Sequence, residues 1–179
     1  MNYVNFLKFI VLLLCYVAIP TLSEVKNINP TYNIAVWDGN ISESYGGGNG
    51  KKESPYIISN GSELAYFASQ LENESYENEY FILENDIVLN DGVFSYTDDD
   101  KIKYIKEGVE NIITPGLVSD LINVFKHLNN FKGNFDGGFH TIYGLYIDKA
   151  IDGQNGLFTN LEGNISNLYV KNSLIYGGK

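Results

Sequence analysis

Two side chains in the last third of the chain have the residue types of an acid–base pair. Asp136 and His140 lie four residues apart across the turn at Gly137 and Gly138. At this spacing the two side chains could approach each other, and a histidine oriented by a carboxylate can act as a general base. The pair also fits a structural role, in which Asp caps a turn and His packs beside a strand. We favour the structural role and assign no catalytic residue.

A second acidic feature could bind a cation. Asp98, Asp99 and Asp100 are consecutive, and carboxylate oxygens are the ligands that Ca²⁺ prefers. The run lacks the alternating spacing and the distal Glu of an EF-hand loop, so a solvated acidic loop is the favoured interpretation. The sequence therefore predicts neither a metal nor a cofactor.

The charge and cysteine content exclude several classes of function. The formal net charge is −10, and all 12 basic residues are Lys. A groove that binds phosphate groups needs the opposite balance, so nucleic acid and anionic membrane surfaces are not expected partners. The only cysteine, Cys15, lies near the N-terminus.

The N-terminus has the three-part pattern of a secretory signal peptide. Lys8 precedes an apolar run over residues 9–19, Pro20 breaks this run, and small residues precede Glu24. The run is too short to span a bilayer, which needs about 20 residues. We expect cleavage after Ser23, which removes Cys15 and leaves about 156 of the 179 residues as one domain without stable membrane insertion.

The first part of the expected mature chain contains few structural signals. Residues 24–54 are predicted to be a flexible segment, and their Gly-rich loop at 46–50 lacks the Gly-Lys-Ser/Thr ending of a phosphate-binding loop. Residues 55–59 then read as a short strand. Asn60 and Glu63 are suited to cap a helix over about 61–71, whose apolar face comprises Leu64, Phe67, Ala68 and Leu71.

The middle of the chain reads as two strands followed by an insertion. Residues 80–89 form two short β-rich runs. Residues 93–130 are predicted to be an insertion that contains a second short helix, because apolar residues recur there at helical spacing: Leu117, Leu121, Phe125 and Leu128.

The last third repeats itself at an offset of 23 residues. Ile142 then matches Ile165, Leu145 matches Leu168, and Gly144 matches Asn167, another residue that tolerates a turn. A period of 20–25 residues made of short strands and turns is typical of one coil of a parallel β-solenoid. The sequence thus predicts a mainly β solenoid over residues 55–179.

These residues carry a family resemblance. Residues 131–147 read F-K-G-N-F-D-G-G-F-H-T-I-Y-G-L-Y-I, Gly156-Leu157-Phe158 follows, and Asn164 begins an N-I-S-N-L strand. This order resembles the segment that precedes GLUG-type repeats in large bacterial surface proteins. Two departures are Phe139 and Gly138, where the family has Gly and Asn. The resemblance implies a right-handed parallel β-helix with an N-terminal capping helix, short or truncated, on the bacterial exterior.

Three functions are consistent with these observations. The favoured hypothesis is a secreted or cell-surface, adhesin-type interaction module without catalytic activity, whose partner is an unknown host protein, cell-surface protein or glycan. The second is a polysaccharide-binding or polysaccharide-cleaving module in which Tyr residues stack on sugars. The third is the amino-terminal fragment of a longer repeat protein. A periplasmic location is an alternative to the cell surface, and self-association through an open C-terminal solenoid edge is expected.

Overall fold

A computed structural model describes residues 32–97, 99, 101–117, 119–150 and 156–177. The described part is mainly β, as predicted, and contains one helix. The helix α1 spans Gly61–Gln70, and the strands are β1 Tyr56–Ile58, β2 Tyr80–Leu83, β3 Ile87–Val88, β4 Val93–Tyr96, β5 Ile102–Lys106, β6 Val109–Ile113, β7 Leu128–Asn129, β8 Asn134–Asp136, β9 Thr141–Tyr143, β10 Tyr146–Ala150, β11 Phe158–Thr159, β12 Asn164–Ser166, β13 Tyr169–Lys171 and β14 Leu174–Gly177.

The largest sheet is parallel throughout and has the strand order β1-β2-β8-β12. Its register aligns four apolar side chains: Tyr56, Phe81, Phe135 and Ile165. Phe81 and Phe135 are buried, and Tyr56 and Ile165 pack against the same core. Successive side chains of a strand point to opposite faces, so the intervening residues form the outer face of this sheet.

Three smaller sheets have the same parallel pairing. They have the orders β3-β9-β13, β10-β14 and β7-β11. Ile142 pairs with Val170, 28 positions further on, and Asn134 pairs with Asn164, 30 positions further on. The predicted offset of 23 residues is therefore wrong.

The error has a local cause. Gly144 and Asn167 both have a left-handed backbone, with φ of 68° and 51°, and a leucine follows each of them. They nevertheless lie at different corners, because β13 pairs with β9 and places Asn167 beside Phe139. A sequence offset that aligns two such turns aligns similar conformations rather than neighbouring strands.

The helix α1 forms where the sequence predicts it. The Asn60 side chain accepts a hydrogen bond from the Glu63 amide at 3.0 Å, and the Glu63 carboxylate accepts one from the Ser59 amide at 2.7 Å. The first bond satisfies a backbone donor that the first helical turn leaves free, and the second ties the residue before the N-cap to the helix. The predicted apolar face is buried in the main core: Leu64, Phe67, Ala68 and Leu71.

The predicted insertion contains an antiparallel sheet. Strands β4, β5 and β6 pair in that order, and Tyr104 and Ile102 are buried in a second small core. The insertion explains why Tyr80 pairs with Asn134 across 54 positions, whereas Asn134 and its next partner are only 30 apart. The buried Asn90 side chain joins the insertion to the parallel sheets, because it donates to the carbonyls of Asn123 at 2.9 Å and Gly144 at 2.8 Å.

The second helix predicted within this insertion is wrong. Within the described residues from 114 to 127 the chain forms turns and irregular structure, and Leu128 begins β7. Leu117 and Leu121 are 65% and 51% exposed, whereas Phe125 and Leu128 are buried. The Phe125 and Leu128 amides donate to Tyr146 and Leu157, so tertiary backbone pairing replaces a helix.

Residues 32–54 of the predicted flexible segment 24–54 contact the parallel sheets. The Trp37 amide donates to the Val88 carbonyl at 2.8 Å, and the Tyr45 ring packs against Tyr56 and Phe81. Gly48 has φ of 81°, and a Cβ there would overlap the Pro55 carbonyl, so the Gly-rich loop lies against β1.

Residues 1–31, which include the predicted signal peptide, lie outside the described residues. The described helix is too short and too polar to cross a membrane.

Charge placed on the buried face of α1 should destabilise the protein. Leu64→Asp or Phe67→Asp buries an unpaired carboxylate beside the aromatic core, and we expect a loss of a few kcal/mol in the free energy of unfolding. Leu121→Asp is the matched control, because this leucine is half-exposed. Thermal melting is the measurement. Equal melting temperatures for all three variants would show that α1 does not support the core.

Candidate functional site

A depression of about 420 Å³ lies along the outer face of the β1-β2-β8-β12 sheet. We call it the outer groove. It is lined by Lys52, Pro55, Tyr80, Phe81, Ile82, Asn134, Phe135, Asp136, Asn164 and Ser166. Because Phe81 and Phe135 are buried toward the core, the polar and half-buried residues on either side of them provide the surface that a ligand would contact.

The parallel register arranges the outward side chains in two rows across the strands. Tyr80, Asn134 and Asn164 form the first row. The second row is Ile57, Ile82, Asp136 and Ser166. Neighbouring strands lie ~4.8 Å apart, so each row presents side chains at a regular spacing. One end of the groove is therefore aromatic and aliphatic, and the other carries amide, hydroxyl and carboxylate groups.

Three hydrogen bonds fix the polar end. Asn164 Nδ2 donates to Asn134 Oδ1 at 3.1 Å, across the β8–β12 pair. Asp136 Oδ1 accepts from the Gly138 amide at 3.0 Å and from Asn167 Nδ2 at 2.9 Å. These bonds hold the side chains in one orientation before any ligand binds, which reduces the entropy lost on binding.

A second concavity continues the groove past β1. Its volume is about 400 Å³, and it shares Pro55 and Ile82 with the first. Two carboxylates, Glu53 and Glu84, are among its lining residues. Lys52 is the only basic residue that lines either concavity, so the described groove carries an excess of negative charge.

Asp136 and His140, which were considered as an acid–base pair, contact different partners. His140 Nδ1 lies 3.3 Å from Asp86 Oδ1, an oxygen that also accepts from the Thr141 amide at 2.8 Å. Asp136 instead caps the turn at Gly138 and binds Asn167. Asp136 lines the outer groove, whereas His140 and Asp86 are not among its lining residues.

The Asp98–Asp100 run is described only at Asp99. Its carboxylate accepts from Thr97 Oγ1 at 2.6 Å and pairs with Lys101 at 2.6 Å. The hydrogen bond with Lys101 lowers the pKa of Asp99, with a further contribution from Thr97. Asp98 and Asp100 lie outside the described residues, and the described part contains no group of three His, Cys, Asp or Glu residues that could hold a metal.

Another carboxyl group lies beside the groove without lining it. Glu79 immediately precedes β2, and its Oε2 is buried without a hydrogen-bond partner among the described residues. Burial raises the pKa of Glu79, and the nearby Glu74 raises it further. A carboxyl with this shift suits proton donation, but Glu79 is absent from the lining of both groove concavities.

Sequence reasoning missed most of the groove. Tyr80, Asn134 and Asn164 were not predicted as binding residues. The available signal was strand alternation combined with the correct pairing interval of 28–30 residues. With the 23-residue offset, β8 and β12 could not be placed side by side.

No protein-family model, curated protein or solved structure significantly matches this chain. The resemblance to GLUG-type regions therefore remains a prediction from the quoted residues.

Phe139 occupies a corner conformation that suits Gly or Asn. Its φ is 62°, its side chain is 70% exposed, and its amide donates to the carbonyl of Asn167, itself at φ 51°. A bulky residue in this region costs about 1–3 kcal/mol, and so exposed a ring recovers little of that cost through burial.

Phe139→Asn should therefore stabilise the protein by about 1 kcal/mol, which corresponds to a rise of roughly 2–4 °C in melting temperature. Tyr169→Asn is the matched control, because it removes a half-exposed aromatic ring from a strand without relieving a left-handed backbone. Differential scanning calorimetry compares the two. A melting temperature that falls in both variants would contradict the assignment of strain to residue 139.

Proposed function

We propose that the protein is an exported, adhesin-type interaction module that binds its partner through the outer groove and catalyses no reaction. The observation that carries this proposal is the arrangement of outward side chains in two in-register rows on a parallel sheet. The inner strands β2 and β8 of this sheet pair on both sides, and sites on such elements hold their side chains more precisely than sites on loops.

The fold that best accounts for the pairing is a right-handed parallel β-helix capped by α1. Four sets of parallel strands recur at 28–30 positions, as stacked coils require. Right-handed crossovers are the general rule for parallel strands of one sheet. The helix α1 follows β1, the edge strand of the largest sheet, and its apolar side chains pack on the core, as an N-terminal cap would.

Export to the cell exterior is proposed from the sequence. The charged start, the short apolar run and the small residues before Glu24 form the cleavable leader. The acidic composition and the resemblance to surface-protein regions agree with an exterior location. The partner is then a protein or glycan of another cell surface.

A binding role is favoured over catalysis because the candidate acid–base residues are already engaged in structural bonds. Asp136 caps the Gly138 turn, and Asp86 holds both His140 and the Thr141 amide. Each of these contacts helps to fix the corner between β8 and β9.

One experiment tests export and the absence of catalysis together. The full chain is expressed with its own leader in a bacterial host, and the protein is recovered from the medium and weighed by mass spectrometry. We expect an N-terminus at Glu24 and no release of reducing ends from polygalacturonate, xylan or cellulose in the presence of Ca²⁺.

Release of products that Asp136→Asn or His140→Gln abolishes would overturn the non-catalytic role. Retention of the protein inside the cell, with Leu12→Lys no different from the parent chain, would overturn the proposed leader.

We also propose that the β12-β13-β14 end of the fold associates with a further coil. Among the described residues each of these strands has a hydrogen-bonded neighbour on one side only. The inward side chains at this end, which include Ile165 and Leu168, are only partly buried. An edge with free backbone groups and a half-covered apolar face favours pairing with another chain.

Sedimentation velocity at micromolar concentration should therefore detect dimers or larger species of the secreted chain. Val170→Lys places a charge on the β13 edge strand and should shift the distribution toward monomer. Val109→Lys, on a strand of the separate antiparallel sheet, is the control. Monomeric parent protein at every concentration would contradict the association.

A further inference from the structure

We infer that the ligand of the outer groove is a neutral polysaccharide chain lying across the strands, along the two rows of outward side chains. This inference rests on the proposed binding role of the groove and names its ligand class.

The groove combines an apolar surface and a polar surface. Tyr80, Ile57 and Ile82 provide an aromatic and aliphatic platform at one end. Asn134 and Asn164 provide amides at the other. Sugar rings have apolar C–H faces and a rim of hydroxyls, so they need both kinds of surface within one site, and tyrosine suits such amphipathic ligands.

The polar end of the groove can form further hydrogen bonds. The bond between the two asparagines uses Asn164 Nδ2 and Asn134 Oδ1. Within the described residues, no hydrogen bond uses Asn134 Nδ2, Asn164 Oδ1 or Asp136 Oδ2. The polar end therefore retains one donor group and two acceptors, and a hydroxyl can bond to either kind because it both donates and accepts.

The charge of the groove disfavours acidic polymers. Asp136, Glu53 and Glu84 outnumber Lys52 along the two concavities, and the whole chain has a net charge of −10. This field repels polyanions such as uronic-acid chains and nucleic acids. A neutral polymer does not experience that repulsion.

The outer face suits a polysaccharide better than an extended peptide. Strands β2 and β8 lie inside the sheet, so their backbone groups are already paired with neighbouring strands and cannot add a peptide strand at this face. Recognition must come from side chains that recur at the ~4.8 Å strand spacing. A polymer of identical units can repeat its contacts along such rows.

The test measures retention of the protein secreted from the full-length chain on insoluble cellulose, chitin and β-1,3-glucan. Affinity electrophoresis measures its binding to soluble xylan and to polygalacturonate. We expect retention on at least one neutral polymer and none in polygalacturonate. Tyr80→Ala and Asn134→Ala should each weaken binding about tenfold, which corresponds to about 1.4 kcal/mol.

Matched controls separate binding from folding. Tyr96→Ala removes an exposed ring from β4, and Asn111→Ala removes an amide from β6; both should bind as the parent does. Tyr80→Phe keeps the ring and should retain most of the affinity. Unchanged thermal melting of Tyr80→Ala confirms that its loss of binding is local.

The outcomes distinguish the ligand class from the binding role. Binding to neutral polymers that groove variants leave unchanged would overturn the inference, as would tighter binding to polygalacturonate. Protease-sensitive binding to cells that Tyr80→Ala removes, without any retention on glycans, would also overturn it and would leave the binding role of the groove intact. Absence of both kinds of binding would overturn the two proposals together.

Discussion

The register of Tyr56, Phe81, Phe135 and Ile165 is the constraint on which the largest sheet and its outer face depend. These side chains occupy equivalent positions on four neighbouring parallel strands. The ring centroid of Phe67, in α1, lies 4.4 Å from that of Phe81 and 5.9 Å from that of Phe135. A shift of one residue in any strand would move its inward side chain to solvent and its outward neighbours into the core. The core thus fixes which side chains face outward.

The corners between strands impose a second constraint. Their left-handed residues occur in neighbouring pairs 28 or 30 positions apart, namely Asn130 with Asn160, Phe139 with Asn167, and Gly144 with Asn172. Asn and Gly tolerate this conformation, and a Cβ at Gly144 would overlap the Asn90 carbonyl. Among these pairs Phe139 is the exception, so the corner after β8 is a place where local preference and tertiary pairing disagree.

Local signals allowed the sequence to predict some elements, whereas the site depends on contacts that such signals do not contain. The cap at Asn60 and Glu63 and the apolar face of α1 lie within a dozen residues, and both were predicted correctly. The groove joins Tyr80 to Asn134 across 54 positions, and His140 binds Asp86 across the same interval. The predicted insertion at residues 93–130 lies between these partners, and the similar turns at Gly144 and Asn167 concealed the true pairing interval.

The division between inward and outward positions also determines how a binding surface on this fold can vary. Replacing Phe81 or Phe135 changes the packing that supports the sheet, whereas Tyr80, Asn134 and Asn164 contribute to the outer face without filling the core. Core substitutions that leave a cavity typically cost several kcal/mol, while surface substitutions usually change stability by less than about 0.5 kcal/mol. The outer rows can therefore vary with little effect on folding, because the buried residues between them maintain the spacing of the strands.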